Sequence, residues 1–227
     1  MILKKTSFGY LSSQAGMFAK LGSIFVVLGI ISLMINPFVG LLLVAASSAF
    51  WNKWLSYMKG IQGEKKTSRA LRDLDDDYFL LDDVQLYSNS GNIDHVILGP
   101  SGIFAIESKN YSGIIRSYGD TWYRASGPGR KSYEIASVST QAKNNAKNLY
   151  KFLQRHLSSS FGRIPFITPL VAFTNSSMDL QSHNPTVEIV FHRKICGRIK
   201  NYEPDYRLST SDLKRIGEAI LSNSVVE

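Results

Sequence analysis

Two carboxylates and an ammonium fall close together in "IDHVILGPSGIFAIESKNYSG", residues 93–113: they belong to Asp94, Glu107 and Lys109. The runs on either side of Gly-Pro-Ser-Gly are β-branched or aromatic enough to form the arms of a hairpin. Alternate side chains of a strand face the same way, so Glu107 and Lys109 project together. Pairing across a turn at 99–102 brings Asp94 opposite Glu107. A carboxylate within such an apolar run costs several kcal/mol unless a cation neutralises it. One answer is a divalent cation between the carboxylates. Oxygen-only ligation suits Mg²⁺, or Mn²⁺, and a metal-bound water beside a lysine can hydrolyse a phosphodiester. The other answer is an ion pair to Lys109 with no catalytic role, since Glu-x-Lys is common on exposed strands. The apolar "IFAI" before Glu107 weighs against an exposed strand.

Such a cluster needs a sheet and helices to hold it. Residues 59–74, "KGIQGEKKTSRALRDL", read as an amphipathic helix, and "YFLLDDVQLY" as one strand or two short ones. After the 93–109 hairpin, "SGIIRSYGDTWYRA" gives a strand pair bending at Gly119-Asp120. In "IASVSTQAKNNAKNLYKFLQRHL" the apolar residues Val138, Ala142, Ala146, Leu149, Phe152 and Leu153 recur at helical spacing. "FITPLVAFTN" and "TVEIVFHR" read as buried strands, and "LSTSDLKRIGEAIL" as a final helix capped by Ser209 or Thr210. The order predicts an α/β or α+β fold, a mixed sheet flanked by helices.

Gly63-Glu64 opening a helix, the 93–115 block, Trp122 and Gln141 together resemble the nuclease-related domain, NERD, of the PD-(D/E)xK, restriction-endonuclease-like superfamily. The resemblance runs from Ile61 to Leu221 and includes "ITPLVAFTN" and "LSTSDLKRI". It implies a restriction-endonuclease-like core in which Asp94 and Glu107 ligate Mg²⁺ and Lys109 assists the attacking water. By the same resemblance Glu64 and Gln141 complete or orient the site. One departure is the lead into the glutamine helix, "YEIASVSTQ" here, where the family often has a short Asn-Pro-Leu-like segment.

Other residues carry weaker chemistry. Lys143, Lys147, Lys151 and Arg155 make a basic helical stripe that could track nucleic-acid phosphates or be a solvated face. His95 points away from Asp94, as a packed or solvated histidine, and His156, His183 and His192 lack ligand spacing. Cys196, the single cysteine, excludes a disulfide framework and reads as a packing residue. No phosphate-cradling Gly-x-x-x-x-Gly-Lys and no Gly-x-Ser-x-Gly occurs.

The net charge of +8 is unevenly spread: five lysines and no acidic residue precede residue 60. The remaining 21 basic and 18 acidic residues leave +3, which points first at a membrane rather than at nucleic acid. No charge occurs from Leu21 to Asn52, so residues 21–51 read as membrane-embedded, either one helix kinked at Pro37 or a hairpin turning at Asn36-Pro37. Lysines on both flanks favour two cytoplasmic ends, with Trp51 and Trp54 at an interface. The expected organisation is a cytoplasmic segment 1–20, a membrane segment 21–51 and a nuclease-like domain 60–222. The expected function is a membrane-anchored, metal-dependent nuclease, the alternative a non-catalytic tethered module that binds nucleic acid or protein.

Overall fold

In the computed structural model the described residues are 2–4, 9–87, 91–157, 164–204 and 206–224. Lys5, one of the flanking lysines, lies outside them. The chain divides into two compact units, Phe8–Gln62 and Met1–Ser7 with Gly63–Glu227.

The first unit is a helical hairpin. Helix α1 (Gly9–Leu33) and helix α2 (Pro37–Leu71) meet at a turn where Asn36 Oδ1 accepts from the backbone N–H of Phe38 at 3.1 Å and Val39 at 3.3 Å. Asn36 thus caps α2, and Pro37 takes the first helical position, where a missing N–H is harmless. Phe18 stacks on Tyr57 and Phe25 meets Phe50, so the helices run antiparallel. Gly29 permits the close approach, because a Cβ there would lie 2.7 Å from Val44 Cγ2. Of the two sequence alternatives the chain adopts the hairpin. Ile24, Val27, Ile31, Phe38 and Leu41 are exposed. Both helices are long and apolar enough to cross a bilayer, by length and composition, criteria that a buried core helix or a signal sequence also meets. Helix α2 runs unbroken to Leu71, so the helix expected over 59–74 is the end of a longer one; residues 52–59 hold neither Gly nor Pro to stop it.

The second unit is α+β, with two mixed sheets instead of the single one expected. The larger sheet is ordered β1 (Ile2–Lys4), β2 (Phe79–Val84), β3 (Ile93–Gly99), β4 (Gly102–Lys109), β8 (Ile167–Phe173), β10 (Glu188–Phe191). Strands β2, β3 and β4 are antiparallel, while β4, β8 and β10 are parallel. The smaller sheet is ordered β7 (Tyr133–Ile135), β6 (Thr121–Ala125), β5 (Ile114–Tyr118), β9 (Asp179–His183). Gly113 separates the sheets at φ +86, where a Cβ would meet Ala125 O at 2.4 Å, so only glycine fits the turn out of the larger sheet.

Helix α3 (Val138–Leu157) and helix α5 (Thr210–Asn223) cover one face of the larger sheet, through Leu149, Phe152, Leu153, Leu213 and Ile216 against Leu81, Val96, Leu98, Ile103 and Ala105. Ser209 caps α5 in a reciprocal box with Asp212. The end of α2 and the short helix α4 (Ile195–Lys200) cover the other face, through Leu71, Ile195 and Ile199 against Leu80, Ile97, Phe104 and Ile106. The smaller sheet packs Ile115 and Trp122 onto Val171, Phe173 and α3, and the Trp122 indole N–H donates to Ser139 Oγ at 2.8 Å.

Candidate active site

Strand alternation builds the cluster. The register pairs His95 with Ile106, which carries on to place Asp94 across from Glu107, and Lys109 shares Glu107's face. Lys109 Nζ lies 2.5 Å from Glu107 Oε1. Asn145 of α3 donates from Nδ2 to Glu107 Oε2 at 2.9 Å. Asp94 Oδ2 accepts the backbone N–H of Ser108 at 2.6 Å. Glu107 is 2% exposed, so both of its oxygens are satisfied inside the protein.

Glu64 joins from α2, on the opposite side of the sheet from α3. Burial, then the neighbouring carboxylates of Asp83 and Glu107, push its pKa up to about 8. Burial, then Glu107 and Glu64, also raise Asp94 well above the usual carboxylate range, although Lys109 and the Ser108 N–H pull the other way. Burial pulls the Lys109 ammonium down, but Glu107 and Asp94 outweigh it and its pKa is raised. The edge thus holds more negative charge than Lys109 can neutralise.

Two residues that the sequence reading missed belong here. Asp83 follows the pattern 82↔95, 84↔93 and so falls opposite Asp94; its φ of 54 is left-handed, a strained conformation for a non-glycine residue, and Asn92 Nδ2 donates to its Oδ1 at 2.6 Å. Asn145 had a signal in the sequence, a polar residue on the apolar stripe between Ala142, Ala146 and Leu149. Gln141, one turn earlier, is exposed, so it is Asn145 that α3 brings to Glu107. At 100° per residue, Lys143 and Lys147 lie about 160° and 200° around α3 from Asn145, on the side away from the carboxylates, and Lys151 follows them. Lys143 is tied to Asp120 at 2.6 Å and to Thr186 at 3.2 Å.

Behind the cluster runs a second polar group. His95 Nδ1 lies 2.5 Å from Asp82 Oδ1, and His95 Nε2 3.1 Å from Ser108 Oγ. Ser108 Oγ donates to Thr67 Oγ1 at 2.9 Å, and Ser68 Oγ to Asp82 Oδ2 at 2.7 Å. All five side chains are buried. His95 is therefore the packed histidine of the two options the sequence left, and the chain from Asp82 to Thr67 clamps the α2 turn that carries Glu64 onto β2, β3 and β4. Cys196 Sγ lies 2.9 Å from Ala70 O, and burial raises its pKa, which suits packing rather than nucleophilic chemistry.

The donors Glu64, Asp94 and Glu107 are all oxygen, and their surplus charge suits a hard divalent cation. As the side chains stand, no three His, Cys, Asp or Glu residues among the described ones are arranged to chelate, because Lys109 holds Glu107 Oε1. The set fits Mg²⁺ or Mn²⁺ once Lys109 yields that oxygen.

No solved structure matches the chain. An uncharacterized protein of Bacillus anthracis is 24% identical over 180 residues, covering 77% of this chain and 79% of that protein. The family model of the nuclease-related domain matches residues 59–174, a span that holds Glu64, Asp94, Glu107, Lys109 and Asn145. The chain belongs to the nuclease-related domain (NERD) family.

Proposed function

We propose that the chain is a membrane-anchored nuclease that hydrolyses phosphodiester bonds of nucleic acid at the edge shared by Glu64, Asp94, Glu107 and Lys109. The observation that carries this reading is the surplus of buried carboxylates around one lysine. Glu64, Asp94 and Glu107 would hold Mg²⁺ or Mn²⁺, which when bound supplies an activated water and neutralises charge on the scissile phosphate. Lys109, kept protonated beside Glu107 and Asp94, stabilises negative charge developing on the reacting phosphoryl group. Asn145 orients Glu107, and the Ser108 N–H orients Asp94. Gln141, exposed one turn before Asn145, is placed to contact the substrate rather than Glu107.

Anchoring is supported by the apolar exposed faces of α1 and α2. Residues on both sides of the hairpin, 1–7 and 63–227, belong to one folded unit, which favours two crossings with both ends on one side. The flanking lysines place that side in the cytoplasm. A cysteine introduced at Asn36 should be labelled from outside intact cells; labelling only after the membrane is opened would remove the spanning hairpin.

The test of catalysis is Mn²⁺- or Mg²⁺-dependent cleavage of DNA or RNA by the purified full-length protein. Glu107→Gln, which keeps the shape and the bond to Asn145, should abolish cleavage without unfolding; equal activity in both would sink the reading. A second reading, a non-catalytic tethered module, is favoured by the closed Glu107–Lys109 and Glu107–Asn145 contacts. Calorimetry separates the two, since Mn²⁺ binding that depends on Asp94 and Glu107 belongs only to the first.

A further inference from the structure

We propose that Lys66, His192 and Arg193 form a phosphate-binding surface that receives the backbone of the nucleic acid beside the candidate active site. The ligand class rests on the nuclease reading above; the surface itself rests on geometry. Lys109, Phe173 and Phe191 lie in one row across the parallel strands β4, β8 and β10. The chain leaving β10 therefore starts at the same edge as Lys109, two strand spacings or about 10 Å away. There it enters a turn of 3₁₀ helix, His192–Lys194, with His192 Nδ1 3.4 Å from Phe173 O. Helix α2 brings Lys66 to the same place from a distant part of the sequence. His192 feels both neighbours: burial first, then the charges of Arg193 and Lys66, lower its pKa, with the bond to Phe173 O opposing.

Lys66 and Arg193 are exposed, and neither takes part in an ion pair between described residues. The neighbouring cations differ, because Arg198 is paired with Glu188 and Lys200 with Asp75. Charge complementarity selects the occupant. A cluster of carboxylates repels a polyanion, so a nucleic acid reaches the edge only if uncompensated cations lie beside it. Lys66 and Arg193 meet that requirement. The lysines of α3 do not, since they lie around the helix from Asn145 and Lys143 is already paired.

The experiment is a titration of a fluorescein-labelled single-stranded oligonucleotide, as DNA and as RNA, with full-length protein in detergent, with EDTA present so that cleavage does not intrude. The slope of log Kobs against log salt should fall in magnitude by about 2 in the Lys66→Ala/Arg193→Ala double variant, one unit per lost phosphate contact. A smaller drop is expected for Lys147→Ala/Lys151→Ala. An unchanged slope in the first pair, a larger drop in the second, or no binding by the wild type overturns the proposal. So does binding that follows Lys66 and Arg193 only on vesicles of anionic phospholipid. Failure of the nuclease reading is read separately, in the metal-dependent cleavage lost in Glu107→Gln.

Discussion

Strands β3 and β4 carry buried acid on both faces, and the two faces solve the problem differently. On one, Asp82 faces one histidine, His95, and every hydrogen bond continues to a partner through Ser108, Thr67 and Ser68. On the other, Glu64, Asp94 and Glu107 share a single ammonium, and the pKa values of Glu64 and Asp94 rise in consequence. The first arrangement has donors matched to acceptors, so it rigidifies the helix and strands it joins. The second has an imbalance that costs stability and is relieved by binding a cation. Chemistry belongs to the unbalanced face, and the balanced one holds it in place.

The sharpest way to break this comparison is to open the closed network. His95→Ala leaves Asp82 buried without its partner and should cost about 3–5 kcal/mol, read as a lower denaturation midpoint. A loss below about 1 kcal/mol would show that the network is not closed by His95.

The open cluster should respond with the opposite sign. Glu64 has its pKa raised from 4.5 to about 8, so it contributes stability at low pH that is lost as pH climbs through about 8. In the metal-free protein the melting temperature should therefore fall from pH 5 to pH 8. Glu64→Gln should flatten that fall and stabilise the protein at pH 8 by on the order of 2 kcal/mol, allowing for partial exposure. Destabilisation by Glu64→Gln at pH 8 would contradict the charge surplus.

Added Mn²⁺ sharpens the same point. At 100 times its dissociation constant it should stabilise the protein by about 2.7 kcal/mol, visible in a thermal melt at pH 8 and absent in Asp94→Asn.

Ser108→Ala touches both faces unequally. It removes the hydroxyl that His95 and Thr67 share but keeps the backbone N–H on Asp94, so it should cost about 1 kcal/mol and leave Mn²⁺ affinity within a few-fold. The smallest effect belongs to Lys143→Ala, which breaks an exposed pair with Asp120 and should cost about 0–1 kcal/mol in the same melts.

How much of this could be read in advance varied by residue. The 93–109 hairpin was legible because Gly99 and Gly102 bracket a two-residue turn and the arms are apolar, and Glu107 and Lys109 had to share a face two residues apart. Helix α3 was legible from its apolar spacing. The smaller sheet was not, because β9 is the polar run "DLQSH", whose place is set by parallel pairing to β5 far along the chain. The Asp82–His95 bond was equally hidden, since nothing in "LLDDV" says which aspartate meets which strand. The unbroken length of α2 was obscured by the change from apolar to charged residues near Lys53.

By itself the sequence determined the local periods: which residues share a side of a strand or helix, where a turn must come, and where an apolar run is long enough for a bilayer. Those follow from backbone geometry repeating every two or 3.6 residues. Only the tertiary structure decided that Asn145 rather than Gln141 reaches Glu107, that Glu64 shares an edge with Asp94, and that Lys66 stands beside Arg193. These contacts join residues that have no common period, and they form because separate apolar faces must be buried on opposite sides of one sheet.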